Sequence, residues 1–213
     1  MKKAFTMMEL IFVIVVIGIL AAIVIPRTGS NKLQEAATQV ISHIRYTQHL
    51  AMVEDKFDVN DPDWWQERWQ IRFPHTTING LDTYYYEIFS DKNHQGNSDA
   101  SEEAKDPLTG NNIGNGNSLV TVIPDDALTN LAKKYNITSV TGTCQLGGAY
   151  RTVAFDFIGR PYLDVYTKAY DNPVPSPNGC TIILNSSEGN ATIKIHPESG
   201  YACVLDKTNT NCL

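Results

Sequence analysis

The strongest constraint on this chain is an apolar run from Leu10 to Ile25 with one carboxylate at its head, Glu9, and with Lys2 and Lys3 just upstream. A helix from Phe5 to Ile25, at about 1.5 Å per residue, reaches about 30 Å, the thickness of a bilayer's hydrocarbon core. The pattern therefore predicts a membrane-spanning helix with an acid inside it. An ionised carboxylate costs a few kcal/mol at mid-membrane and less near an end, so an acid in such a place calls for a partner. The cation-forming group nearest to Glu9 within the span would be a new α-amine at Phe5, made by cutting the chain after Ala4. Within one helix that amine and Glu9 stand at different heights. Between parallel, axially shifted helices they meet, and a pair at about 4 Å in an effective dielectric near 20 contributes on the order of 4 kcal/mol before desolvation. A secretory signal peptide fits less well, because Ala21-Ala22-Ile23 before Val24-Ile25-Pro26 is a poor cleavage site. A plain signal anchor has no use for Glu9.

Charge and cysteine content narrow the classes further. The formal net charge is −6, and loss of a leader carrying two lysines takes it to −8. Such acidity argues against a general nucleic-acid or anionic-lipid surface. Cys144, Cys180, Cys203 and Cys212 all lie in the last third of the chain, and none has the spacing of a CxxC zinc or redox motif. An even number of cysteines in an exported domain points to disulfides, with three pairings open. Lys2 and Lys3 favour a cytoplasmic amino terminus, although Arg27 and Lys32 at the other end weaken that signal. The cysteines break the tie and predict a single-pass inner-membrane protein whose globular part faces the periplasm.

Beyond Pro26 and the Gly29-Ser30 breaker, apolar Leu33, Ala37, Val40, Ile44 and Ala51 recur at helical spacing, which predicts an amphipathic stem. Trp69, Ile71 and Phe73 alternate with Gln70 and Arg72. Asn79-Gly80 then supplies turn chemistry before Tyr84, Tyr86 and Ile88 alternate again. Further strands are expected at 119–123, 151–157, 181–184, 192–195 and 201–205, with a short helix over 126–134 capped by Asp125. The layout predicts an α+β fold: one long N-terminal helix, membrane-spanning in its first half and amphipathic in its second, packed on an antiparallel sheet. Its parts are a leader at 1–4, an assembly helix at 5–26, a stem at 27–53 and a β-rich domain at 54–213 with a polar loop at 90–118.

The stretch Lys2-Lys3-Ala4-Phe5-Thr6-Met7-Met8-Glu9-Leu10-Ile11 resembles the class III signal of type IV pilins and type II secretion pseudopilins. The resemblance implies that a prepilin peptidase cuts between Ala4 and Phe5 and methylates Phe5, and that Glu9 guides docking of subunits. Pro26 matches a helix-interrupting proline of that family, whereas Ala4 departs from its usual glycine. The segments Val40 to Ala51 and Val153 to Pro161, with the ending through Tyr201, look like the GspH/FimT group of minor pseudopilins and minor pilins; 54–68 and 90–118 read as insertions. In that light Cys203 pairs with Cys212 as a terminal staple, and Cys144 with Cys180. The implied function is that of a minor subunit of the periplasmic pseudopilus of a type II secretion system, partnered by other pseudopilins, the prepilin peptidase and the inner-membrane assembly platform. The first rival is a minor pilin of a type IV pilus or DNA-uptake machine. DNA-binding relatives carry Gly-Arg-x-Arg, whereas Gly159-Arg160 here is followed by Pro161-Tyr162, too few cations for phosphate neutralisation. The second rival is a signal-anchored enzyme or receptor.

Three further candidates are local. The segment 91–102 places Asp91, Asn93, Gln95, Asp99 and Glu102 at positions one, three, five, nine and twelve of a calcium loop, with Gly96 at six. The competing reading is a solvated polar loop. Trp64, Trp65 and Trp69 with Tyr84, Tyr85 and Tyr86 form an aromatic set; Trp69, Tyr84 and Tyr86 are expected in the core. Glu188-Gly189-Asn190-Ala191-Thr192 fits an acid-x-Asn-x-Thr sequon, which would make Asn190 a glycan acceptor, and reads equally as a hairpin turn. His43, His49, His75, His94 and His196 are scattered, with His43 and His49 expected on the polar face of the stem, and no catalytic motif is present, so no enzyme activity is expected.

Overall fold

The computed structural model describes residues 6–24, 32–78, 80–114, 128–145, 150–163, 165, 167–206 and 208–213. Helix α1 spans Met7–Val24 and helix α2 spans Lys32–Val53. The chain divides into two units, Met1–Asn31 and Lys32–Leu213, so the stem helix belongs with the β-rich body.

This arrangement corrects the expected long N-terminal helix. Helix α1 has 18 residues, a rise of about 27 Å, short of the roughly 30 Å of a hydrocarbon core. Among the described residues no helix is long and apolar enough to cross a membrane. The expected membrane-spanning segment, and with it the single-pass inner-membrane placement, is not supported. Pro26, expected to interrupt the helix, lies outside the described residues.

The second unit is mostly sheet. One sheet has the order β4-β1-β6-β7, from β1 (Gln70–Phe73), β4 (Glu87–Phe89), β6 (Arg151–Phe155) and β7 (Pro161–Tyr162). The other runs β10-β9-β8-β5, from β5 (Ile137–Gly142), β8 (Cys180–Ser186), β9 (Gly189–Ile195) and β10 (Ala202–Val204). Strands β2 (His75–Ile78) and β3 (Leu81–Tyr84) make a separate hairpin. Its register, Ile78 opposite Leu81 and His75 opposite Tyr84, continues into Arg72 opposite Glu87 and Gln70 opposite Phe89. One antiparallel ribbon therefore folds back between Ile78 and Leu81. Pro74, which has no N–H to give the ladder, marks its interruption.

Helix α2 packs against β9, β10, β8, β6 and β1, and so seats one face on both four-stranded sheets. Ala36, Ala37, Val40, Ile44, Thr47 and Ala51 are buried there, at the helical spacing that predicted the stripe. Polar clamps fix its register. The Arg45 guanidinium donates to Ala202 O at 3.0 Å, and the Gln48 amide donates to Gly159 O and Ser199 O, both at 2.8 Å. Gly159 and Gly200 hold φ of +81° and +63° beside Gln48, where a Cβ on Gly200 would stand 2.5 Å from Gly159 O.

Several local expectations shift. Gln70 and Arg72, which alternate with the apolar residues, are buried as well, and Arg72 Nη1 donates to Gly96 O of the polar loop at 2.9 Å. The short helix α3 spans Leu131–Tyr135, later than expected. It is capped by Asn130, whose side chain accepts from the Lys133 N–H. Asp125 and the expected strand at 119–123 lie outside the described residues. Cys144 is bonded to Cys180 and Cys203 to Cys212.

Candidate functional site

The start of α1 is built by Thr6. Its Oγ1 accepts from the Glu9 N–H at 3.3 Å, and its carbonyl accepts the same N–H at 3.1 Å. Thr6-x-x-Glu9 is the first half of a capping box, with Glu9 in the first turn where the helix dipole favours an anion. The sequence carried that signal, and it gives Glu9 a local role beside any assembly role. Every residue from Thr6 to Leu20 is exposed, including Phe12 at 69% and Ile14 at 61%. Ala4 and Phe5, the expected cleavage and methylation positions, lie outside the described residues.

The polar loop is folded on itself. Asp91, fully buried, accepts from Gln95 N at 3.0 Å and Gly96 N at 2.7 Å. Glu102 accepts from Asn93 N and Asp99 N, both at 3.1 Å, and the Asn93 amide donates to Asp99 Oδ2 at 2.7 Å. Asp91, Asn93, Asp99 and Glu102 are thus brought together, while Gln95 joins through its backbone. The carboxylates accept from loop N–H groups, as Asx-type turns do. Beneath the loop, Glu87 is pushed above the ordinary carboxyl range by burial, opposed by Arg72 and by the Ser98 hydroxyl that donates to it at 2.8 Å.

Histidine 43 differs from its expected place on the polar face of the stem. It is 7% exposed, with Nδ1 2.8 Å from the Tyr86 hydroxyl and Nε2 3.1 Å from the Gln39 amide nitrogen. Burial lowers its pKa, with Asp106 opposing. An amide N–H donating to Nε2 fixes the neutral tautomer with its proton on Nδ1. Tyr86 then accepts from His43 and donates to Leu128 O at 3.4 Å. Periodicity could not reveal this relay, because it joins residues 43 apart.

Trp69 and Tyr86 are buried as expected and Tyr84 is partly so. Trp64 is also buried, with the Arg68 guanidinium 5.1 Å from its ring and 4.6 Å from that of Tyr162. Asn190 is exposed on β9 opposite Asn185, whereas Thr192 of the same sequon is buried. His196 Nε2 lies 3.6 Å from Cys212 Sγ, a sulfur held in a disulfide and therefore not a thiolate ligand.

No family model, curated protein or solved structure matches the chain. Of the attributes expected, the disulfides are present. A transmembrane helix is absent among the described residues, and nothing in the comparisons indicates secretion or pilin function.

Proposed function

We propose that the chain is a structural subunit of a filament of the pilin and pseudopilin kind, matured by a prepilin peptidase and joined to neighbouring subunits through α1. The supporting observation is a helix of 18 residues, apolar on every side apart from Glu9 and with exposed side chains from Met7 to Leu20. Burying one Leu, Ile, Val or Phe side chain contributes about 1.5–3 kcal/mol, so a helix with this composition is strongly driven to a covered state. Copies of the same segment from adjoining subunits would cover it. In that packing the Glu9 carboxylate meets the Phe5 amine of a neighbour, which requires cleavage after Ala4. The body from Lys32 to Leu213 would then present its loops to neighbours or cargo.

Two measurements test this reading. Mass spectrometry of the protein from its native source should find residues 1–4 removed and Phe5 methylated. The substitution Glu9→Gln should abolish incorporation into filaments while the disulfides and the 32–213 body stay intact. Wild-type incorporation of Glu9→Gln, or an unprocessed amino terminus, refutes it.

A further inference from the structure

The two segments that read as insertions meet at a cluster no motif had singled out. His94 Nε2 stands 3.6 Å from Asp61 Oδ2 and 3.7 Å from Glu67 Oε1, and the three ligand atoms lie within 4.8 Å of one another. Both distances are too long for a hydrogen bond, whose N···O separation is about 2.7–3.2 Å. Three atoms each about 2.0–2.2 Å from a tetrahedral ion stand about 3.3–3.6 Å apart, a separation that the two distances from His94 Nε2 approach. His94 Nε2 is buried and has no hydrogen-bond partner among the described residues. An imidazole nitrogen in that state lacks the partner its lone pair or proton requires.

The surroundings aim all three groups inward. Asp61 Oδ1 accepts from the Asp63 N–H at 2.9 Å, which turns Oδ2 toward His94. Glu67 lies on the 3₁₀ turn Trp64–Glu67, and its carbonyl accepts from the Ser90 hydroxyl at 2.6 Å, so the 61–67 segment is tied to the start of the polar loop. His94 holds φ of 56°, a left-handed conformation that directs its ring across the gap. The three side chains are 26–27% exposed, enough for an ion to enter and for water to complete the shell.

We propose that Asp61, Glu67 and His94 bind a divalent transition-metal ion of the zinc class, which staples the 58–67 segment to the 91–102 loop. One imidazole with two carboxylates suits zinc, cobalt or manganese, whereas calcium takes oxygen ligands only. The site is therefore chemically distinct from the all-oxygen arrangement of Asp91, Asn93, Asp99 and Glu102 in the same loop, and it does not depend on how the chain assembles. In place of a metal, a protonated His94 could face the two carboxylates as a simple ion pair, and the experiment separates the two.

The full chain, stripped with EDTA, is titrated with cobalt(II) and followed by its visible absorption, then competed with zinc and with calcium. One equivalent of cobalt should bind with a tetrahedral spectrum, zinc should displace it, and calcium at about 1 mM should not. His94→Asn tolerates the left-handed backbone yet removes the imidazole, and Glu67→Gln leaves the backbone untouched; each should weaken binding at least about tenfold. With EDTA present, both variants should unfold at the wild-type midpoint or above it. The proposal fails if the wild type binds no cobalt or zinc at about 1 mM. Retained wild-type affinity in both variants, or displacement by calcium, overturns it equally.

Discussion

Replacing Tyr86 by Phe tests whether the buried relay from Gln39 to Leu128 holds the stem helix on the body. The change removes one oxygen from a side chain that is 0% exposed and leaves its packing almost unaltered. It deprives the His43 Nδ1 proton of its 2.8 Å acceptor. A buried donor left without a partner costs about 1–3 kcal/mol. A loss near 2 kcal/mol lowers the melting temperature of a body this size by about 4–8 °C. Urea unfolding followed by tryptophan fluorescence measures it, and a double-mutant cycle with His43→Leu isolates the bond. Coupling of about 1–2 kcal/mol is expected, because His43→Leu already removes the donor. If the single costs add to within about 0.3 kcal/mol, the two side chains are independent and the relay is wrong. The same cycle carries a pH signature. Burial holds the folded-state pKa of His43 below its unfolded value of about 6.5, so the folded chain binds fewer protons there. His43's contribution is thus fully present above about pH 6.5, falls as pH drops, and levels off below the lowered folded-state pKa. His43→Leu should flatten that part of the stability profile.

Gly200→Ala should destabilise the body by several kcal/mol in chemical unfolding, since it adds a Cβ 2.5 Å from Gly159 O at a φ of +63°. Removing the Cys144–Cys180 bond by paired alanine substitutions should cost about 3–4 kcal/mol, against about 2.5 kcal/mol for Cys203–Cys212, because the closed loops span 36 and 9 residues. A reversed order in equilibrium unfolding would refute the loop-entropy account. Thr6→Val should lower the helicity of α1 in circular dichroism by loosening its first turn, an effect of about 1 kcal/mol that Thr6→Ser should spare.

Local pattern made the second helix legible. The spacing of Leu33, Ala37, Val40, Ile44 and Ala51 needs no partner to be recognised, and all of these but the partly buried Leu33 are among the buried residues of α2. The pair Asn79-Gly80 carries turn chemistry in the sequence, and β2 and β3 on either side of it pair as a hairpin. What eluded the sequence depends on separation along the chain. Arg72 looks polar and outward until Gly96 of the distant polar loop reaches it. His43 looks like a surface residue until Tyr86 arrives from the sheet. His94, Asp61 and Glu67 have no motif spacing, since two separate segments must fold before the three side chains meet. At the amino end the apolar run from Leu10 to Ile25 predicts a membrane-spanning helix, whereas among the described residues no helix is long and apolar enough to cross a membrane.

The ribbon made by β1 to β4 also implies a sequence of events as the protein forms. Its strands are neighbours in the chain, and such hairpins close in about 1–10 μs. The pairing of Ile71 with Val153, by contrast, must wait for a long excursion of the polypeptide to return. During synthesis β1 can therefore be sheltered on its β4 side soon after it emerges, while its β6 side stays open to wrong partners until far more of the chain has been made.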